Sequence, residues 1–328
     1  MKRILLISTG GTIAMKKDET GLAVPTADGE MLLEEIGLTD TEIQVETLDF
    51  KNLPSFHLSL KDLEELRKSV IQAESDGCDG VVITHGTDTM EETAYYLDLT
   101  LEKRIPVVVT GAQRNLSSVS SDVQLNLMDA FITAADDETV HQGVVIVFSS
   151  EIVTAREATK VHRTRNDTFK SPEFGPVGTI DNQRVNWWRR PFYQESYPGA
   201  QISGLRVDIL SSWLGAGDEL IQFCLEKKVD GMVIQGLGAG HLPISMLPGV
   251  QKAIESGIPV VLSSRAFMGR FLTDTYGVEG GEKHLRRMGV IFGEELTPHK
   301  ARMKLLVLLA SGYGYDQIRT AFEKRMYK

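Results

Sequence analysis

The residues best suited to chemistry in this chain are hydroxyls, and they gather at two turns. "TGGT", Thr9 to Thr12, follows the aliphatic run Ile4-Leu5-Leu6-Ile7, and "THGTDT", Thr84 to Thr89, follows Val81-Val82-Ile83. Aliphatic runs of this length, bounded by glycine, are the pattern of a buried parallel strand. Glycine at the end of such a strand lets the backbone turn sharply and bring its N–H groups close to a ligand. A helix starting at about Thr12 would add its positive end, so Thr9 and Thr12 would hold hydroxyls beside an anion site. The plainer alternative is a tight turn with Thr12 as N-cap, and Thr87, Asp88 and Thr89 serve equally well as caps. A third segment, "VTAREATKVHRTRNDTF", carries Lys160. An amine drawn into a dry crevice can give up its proton and act as a base for a hydroxyl, whereas a solvated lysine cannot.

These residues depend on the elements that carry them. Strand-like runs at Arg3–Ser8, Gln44–Leu48, Gly80–Thr84, Pro106–Thr110 and Gly143–Phe148 alternate with amphipathic segments such as Leu60–Ser75 and Met90–Leu101. That alternation predicts an α/β fold, a mostly parallel sheet covered by helices. Ligands collect at the carboxyl ends of such strands, so both threonine turns face one crevice. After Phe169 the texture changes. "VGTIDNQRVNWW" reads as a hairpin turning near Asp181-Asn182, "RRPFYQESYPGA" reads as a linker, and a second βα series begins at Leu205. "DGVVITHG" from Asp79 recurs as "DGMVIQGL" from Asp230, and "IPVVVTG" from Ile105 as "IPVVLSS" from Ile258. The expectation is two doubly wound parallel-sheet lobes, 1–189 and 205–328, joined by a linker at 190–204, with the active site at the carboxyl ends of the first lobe's strands.

Composition narrows the partners. A chain of 328 residues with 42% apolar and 24% charged residues is ordinary globular material. The net charge of −10 disfavours a nucleic-acid backbone as partner. The apolar run of the amino terminus ends at Ile7, short of a secretory leader, and no stretch is long enough to span a bilayer. Cys78 and Cys224 read as buried free thiols, which suits a reducing, cytoplasmic setting. The seven histidines and two cysteines show no metal-ligand spacing, so neither metal nor cofactor is expected.

Taken together, "STGGTIA", "VITHGTDTMEETAYYLDLT", "VVTGAQR" and "ATKVHRTRNDTFKS", with "SSRAF" and "KARMKLLVLL" near the end, resemble the bacterial L-asparaginase family. The resemblance implies a hydrolase converting L-asparagine to L-aspartate and ammonia, with weaker action on glutamine. It implies Thr12 as nucleophile and Thr87, Asp88 and Lys160 as a second catalytic set that manages protons and activates water, the order of attack between the two threonines being open. Ser55 would bind the substrate's α-carboxylate and Asp88 its α-ammonium. The carbonyl of Ala112 would contact the leaving amide, and N–H groups near Gly11 and Thr87 would stabilise the oxyanion. A homodimer or homotetramer is implied too, with an acid, Glu279 or Glu282, crossing from a neighbouring subunit.

Three positions depart from the family's pattern. The loop after "TGGTIA" lacks the tyrosine often found there, with Leu22 near its place. Phe56 stands where a glutamine often follows the serine, and a polar turn of the second lobe reads Gly238-Ala239-Gly240-His241. Two rival classes fare less well. A dinucleotide binder would need glycine where "GLGAGH" has His241. A catalytically silent amino-acid sensor is separable by an ammonia-release assay.

Overall fold

The aliphatic run at the amino terminus forms β1 (Lys2–Ser8), followed by a 3-10 turn at Thr12–Ala14 and a short antiparallel pair, β2 (Met15–Lys17) and β3 (Ala23–Pro25). There follow α1 (Gly29–Ile36), β4 (Ile43–Asp49), α2 (Leu60–Ser75), β5 (Gly80–Thr84), α3 (Met90–Thr100), β6 (Val107–Thr110), α4 (Val123–Ala135) and β7 (Val144–Phe148). Then come β8 (Glu151–Thr154), β9 (Thr159–Lys160), β10 (Phe169–Lys170), β11 (Gly178–Asp181) and β12 (Arg184–Trp187). The computed structural model describes residues 1–17, 23–25, 28–36, 42–191 and 193–324. It divides into two units, Met1–Pro198 and Gly199–Lys328.

In the first unit an eight-stranded sheet runs in the order β12-β11-β8-β7-β6-β5-β1-β4. The pairs from β4 through β1, β5 and β6 to β7 are parallel, and β8, β11 and β12 close one edge in antiparallel fashion. Side chains alternate across the sheet. Ile4, Leu6, Val82, Val108, Val145 and Val147 share one core with Leu32 of α1 and Val123, Leu127 and Phe131 of α4. On the opposite face α2 packs on β5 and α3 on β7.

The second unit contains β13 (Val207–Ser211), α5 (Glu219–Glu226), β14 (Gly231–Gly236), α6 (Leu247–Glu255), β15 (Val260–Ser264), α7 (Glu282–Met288), β16 (Ile291–Phe292), α8 (Pro298–Ala310) and α9 (Tyr315–Phe322). Its four strands are parallel in the order β13-β14-β15-β16. The sequence echo has a physical counterpart. Arg3 N–H donates to Asp79 Oδ2 at 2.8 Å and Asp79 N–H to the Arg3 carbonyl at 2.7 Å, while Arg206 and Asp230 repeat both bonds at 2.7 and 2.8 Å. Val81 N–H donates to the Pro106 carbonyl, as Met232 N–H does to Pro259. Each unit starts its central strands with the same Asp and Pro contacts.

Two expectations are corrected here. The helix expected from about Thr12 is only a three-residue 3-10 turn, because Met15 returns to extended backbone (φ −97, ψ 141) and starts β2. Its N-cap is Gly11, with no side-chain cap, so no helix dipole serves this turn. The hairpin turn falls at Asn182-Gln183, both with positive φ, one residue later than expected, as the primed turns between twisted strands require.

Residues 193–197 lie on the first unit, anchored by an acid. Glu195 accepts from Arg156 at 3.2 Å, Tyr95 Oη at 3.1 Å, Tyr193 Oη at 3.3 Å and Tyr197 Oη at 3.1 Å, and the side chains of the ion pair are only 11% and 6% exposed. Removing one member of a buried pair strands the other, so Glu195→Ala is expected to cost roughly 3–5 kcal/mol in urea unfolding. The exposed Arg165–Asp167 pair offers the control, and Asp167→Ala is expected to cost at most about 1 kcal/mol. Equal losses in the two variants would remove the anchoring role of Glu195.

Candidate active site

Strand order reverses at β1. The chain leaves it outward to β4 and returns on the other side to β5, so the carboxyl ends of β1 and β5 lie side by side with Ser8 opposite Thr84. A doubly wound sheet opens its crevice at such a reversal. The TGGT and THGTDT turns leave from these two strand ends, and neither strand could be displaced without breaking the parallel ladder.

Glycine sets the distance between the turns. Gly11 has φ +84, and a Cβ there would lie 2.4 Å from both Cα and N of Gly86. A Cβ on Gly86 would lie 2.8 Å from Cβ and Oγ of Ser55, and one on Gly10 would lie 2.5 Å from Leu53 N. Three segments, 10–11, 53–55 and 86, therefore meet with no room for a side chain on any of the three glycines. Leu53 N–H donates to the Thr9 carbonyl at 3.1 Å, and Thr89 Oγ1 to the Ser55 carbonyl at 3.0 Å.

Hydrogen bonding sorts the hydroxyls. Thr9 is buried and its Oγ1 donates to the Thr84 carbonyl at 2.8 Å, so it stitches β1 to β5. Thr89 is likewise committed to Ser55. Thr87 Oγ1 instead accepts from Lys160 Nζ at 2.8 Å, and the same ammonium donates to Asp88 Oδ1 at 2.7 Å. Lys160 reaches this position from β9, which pairs with β10, and its side chain is only 16% exposed against 58% for Asp88. The lysine is thus tucked under the turn while the carboxylate faces outward. Among the described residues, none accepts from the N–H of Gly11 or of Thr87. A hydroxyl held by a lysine, and two N–H groups nearby that have no acceptor among the described residues, are parts that acyl transfer uses.

Ser55 is buried at the start of a 3-10 turn, after Pro54, and Ala112 is buried in the loop after β6. Gly11, Thr12, Ser55, Thr87, Asp88, Lys160 and Ala112 all lie in the first unit, with Gly11 and Ser55 packed on Gly86 and Lys160 on Thr87 and Asp88. Glu279 and Glu282 lie in the second. Glu279 is exposed, whereas Glu282 is buried and its Oε1 accepts from Thr275 N–H and Tyr276 N–H, each at 2.6 Å. Burial raises that carboxyl, but the Tyr276 and Thr275 N–H groups outweigh it and hold it below the usual range. Leu22 lies outside the described residues.

Sequence reasoning missed the supports of the Ala112 loop. Asp122 accepts from the N–H of Gln113 at 3.1 Å and Arg114 at 2.9 Å, and Asn126 Nδ2 donates to the Gly111 carbonyl at 2.9 Å. A cap signal exists, since Asp122 opens α4, but its reach back across nine residues leaves no mark in the pattern. Among the described residues, no helix is long and apolar enough to cross a membrane, and no cluster of His, Cys, Asp and Glu is arranged to hold a metal.

A doubly wound sheet with such a site at its reversal defines an amidohydrolase-like scaffold, and comparison with known proteins gives it a family. Residues 3–193 match the family model described as Asparaginase, N-terminal, and residues 206–322 match the Glutaminase/Asparaginase C-terminal domain. The chain is 38% identical to the L-asparaginase of Bacillus licheniformis over 312 residues, covering 94% of this chain and 96% of that protein. It is 37% identical to a probable L-asparaginase of Deinococcus radiodurans, covering 100% and 99%. A crystal structure of a probable cytoplasmic L-asparaginase from Campylobacter jejuni superposes with a TM-score of 0.86 at 30% identity, covering 98% of this chain and 99% of that one. The chain belongs to the asparaginase family.

His85, the second residue of the THGTDT turn, is fully buried, and burial pushes its imidazole down to about 4, against the pull of the Gly86 carbonyl. The unfolded imidazole binds its proton near 6.5, so folding stability is complete above that pH and is lost as pH falls toward 4. The loss attributable to this group is on the order of 3 kcal/mol. Urea titrations of wild type and His85→Asn between pH 4 and 7 should diverge in slope across this window; parallel curves would contradict the assignment.

Proposed function

We propose that the chain hydrolyses L-asparagine to L-aspartate and ammonia through a threonine acyl-enzyme. The contact of Lys160 Nζ with Thr87 Oγ1 and Asp88, beside a Gly-Gly-Thr turn, is the observation that carries this reading. Thr12 Oγ attacks the side-chain amide carbon, the hydroxyl proton passes to the departing nitrogen, and ammonia leaves. Water then attacks the ester, releasing aspartate and restoring the Thr12 hydroxyl. Lys160 and Thr87 relay the protons, and Thr87 is the alternative first nucleophile. The N–H groups of Gly11 and Thr87 hold the oxygen that becomes charged. Ser55 receives the α-carboxylate, Asp88 the α-ammonium, and the Ala112 carbonyl the amide nitrogen. Weaker action on glutamine belongs to the same reading, on the scale of the about 1–3 kcal/mol that one methylene in a pocket is worth. In this reading residues 1–189 are the catalytic lobe, 190–204 the linker and 205–328 the second lobe. The enzyme works in the cytoplasm, in keeping with its two buried free cysteines.

Ammonia release from asparagine tests the assignment. Thr12→Ala is expected to abolish turnover while calorimetric binding of aspartate persists, because the hydroxyl is needed for chemistry and not for carboxylate recognition. Lys160→Met is expected to lose roughly 10²–10⁴-fold in kcat, the scale of general acid–base help. Near-normal turnover in Thr12→Ala would move the nucleophile elsewhere, and in Lys160→Met would move the base.

The same reading makes the active form a homodimer or homotetramer, with an acid entering from a partner chain. Glu279 is the exposed candidate, while one oxygen of Glu282 is committed within its own unit. Mixing inactive Thr12→Ala chains with inactive chains altered at the crossing glutamate should restore activity, since some sites then draw intact parts from both. Full activity of Glu279→Ala and Glu282→Ala alone would dispose of the shared site.

A further inference from the structure

Gly86 presents a problem that the reaction scheme leaves unsolved. It must be glycine, because any Cβ would strike Ser55, yet glycine is the residue that least restrains the peptide following it. That peptide, Gly86–Thr87, carries the N–H assigned above to the oxyanion. If it rotated by half a turn, the Gly86 carbonyl would face the crevice and oppose the charge that the N–H should stabilise.

The Gly86 carbonyl is not free to do so. It lies 2.7 Å from His85 Nδ1, and His85 Nε2 lies 2.9 Å from Thr93 Oγ1 in α3, with both side chains buried. A carbonyl only accepts, so Nδ1 carries the hydrogen, Nε2 accepts, and the Thr93 hydroxyl is the donor to it. The backbone of His85 is held as well. His85 N–H donates to the Thr110 carbonyl at 2.8 Å, and the His85 carbonyl presses on Gly111, where a Cβ would come within 2.3 Å. All peptide bonds among the described residues are trans, so the C=O of Gly86 and the N–H of Thr87 point in opposite directions. Drawing one inward to His85 turns the other outward.

We propose that His85 is a positioning residue for the oxyanion site: its imidazole, anchored on Thr93, grips the Gly86 carbonyl and so aims the Thr87 N–H into the crevice. The inference rests on the proposed amide hydrolysis and assigns His85 no proton transfer with substrate. Thr87 is then fixed from two sides, its side chain by Lys160 and its peptide by His85.

The test separates aim from mere support. His85→Leu keeps bulk but offers no donor, whereas His85→Asn places an amide N–H where Nδ1 stood. His85→Leu is expected to lower kcat on asparagine by roughly 10²–10³-fold, the effect of losing one oxyanion donor, with KM and aspartate affinity changed little. His85→Asn should recover most of that loss, and a crystal structure of His85→Leu should show the Gly86–Thr87 peptide rotated. An unrotated peptide with kcat retained, or a rise in KM alone, would overturn the proposal. Should His85→Leu fail to fold, Thr93→Val removes only the hydroxyl behind the ring; a severalfold fall in kcat at constant KM is expected, and unchanged kcat would refute the idea. Wild-type protein that released no ammonia from asparagine would instead sink the reaction assigned above, and the peptide's orientation in the His85→Leu crystal would still decide the positioning role.

Discussion

Everything in the site depends on the approach of two backbones, at Gly11 and Gly86. The carboxyl ends of β1 and β5 are neighbours because the sheet reverses there, but neighbouring strands alone leave room for side chains between their loops. Gly11 and Gly86 remove that room, each lying where a single carbon would collide with the opposing segment. Ser55 closes the group from β4's side. The close approach leaves main-chain N–H groups of Gly11 and Thr87 without an acceptor among the described residues. Main-chain dipoles held by a sheet need little reorganisation when charge develops.

Against that rigid floor the polar side chains divide their labour by burial. Thr9 and Thr89 spend their hydroxyls on carbonyls of adjoining segments, which fixes the loops. Thr87 escapes this use because Lys160 rises beneath it from the short β9–β10 pair, outside the parallel core. Asp88 at 58% exposure and Lys160 at 16% form a pair whose negative end meets solvent, an arrangement suited to greeting a substrate's ammonium.

Much of this was legible in the sequence because the signals are local. α2 begins where Ser59 and Asp62 form a reciprocal capping box, and the buried strands announce themselves as unbroken aliphatics. Thr12, Thr87, Asp88 and Lys160 are proposed through a recognisable motif, whereas pattern alone leaves each with a capping or solvated alternative. What misled was also local: Thr12 after two glycines looks like a helix start, but Ile13 and Ala14 are drawn into the core and Met15 into β2, which ends the turn after three residues. What stayed hidden was every bond between distant segments. Asp122 reaching Gln113, Asn126 reaching Gly111 and His85 reaching Thr93 follow from how α3 and α4 lie on the sheet, and no periodicity encodes them.

Those hidden bonds share a pattern. Gly11, Gly86 and Gly111 are each required by close packing, and each leaves its adjoining peptide permissive. Two of the three have a buried polar side chain on the neighbouring carbonyl, Asn126 at Gly111 and His85 at Gly86. Close approach and orientation are thus supplied by different residues, glycine giving space and a buried side chain, on α4 or anchored on α3, giving direction. The remaining glycine, Gly11, is held differently: the only bond on its carbonyl among the described residues comes from Ala14 N–H at 3.0 Å, inside the same short turn. The bond on its carbonyl fixes the Gly11–Thr12 peptide within a three-residue 3-10 turn instead of through a partner across the fold, so the backbone that carries Thr12 is oriented locally, whereas the Gly86–Thr87 peptide is set from α3.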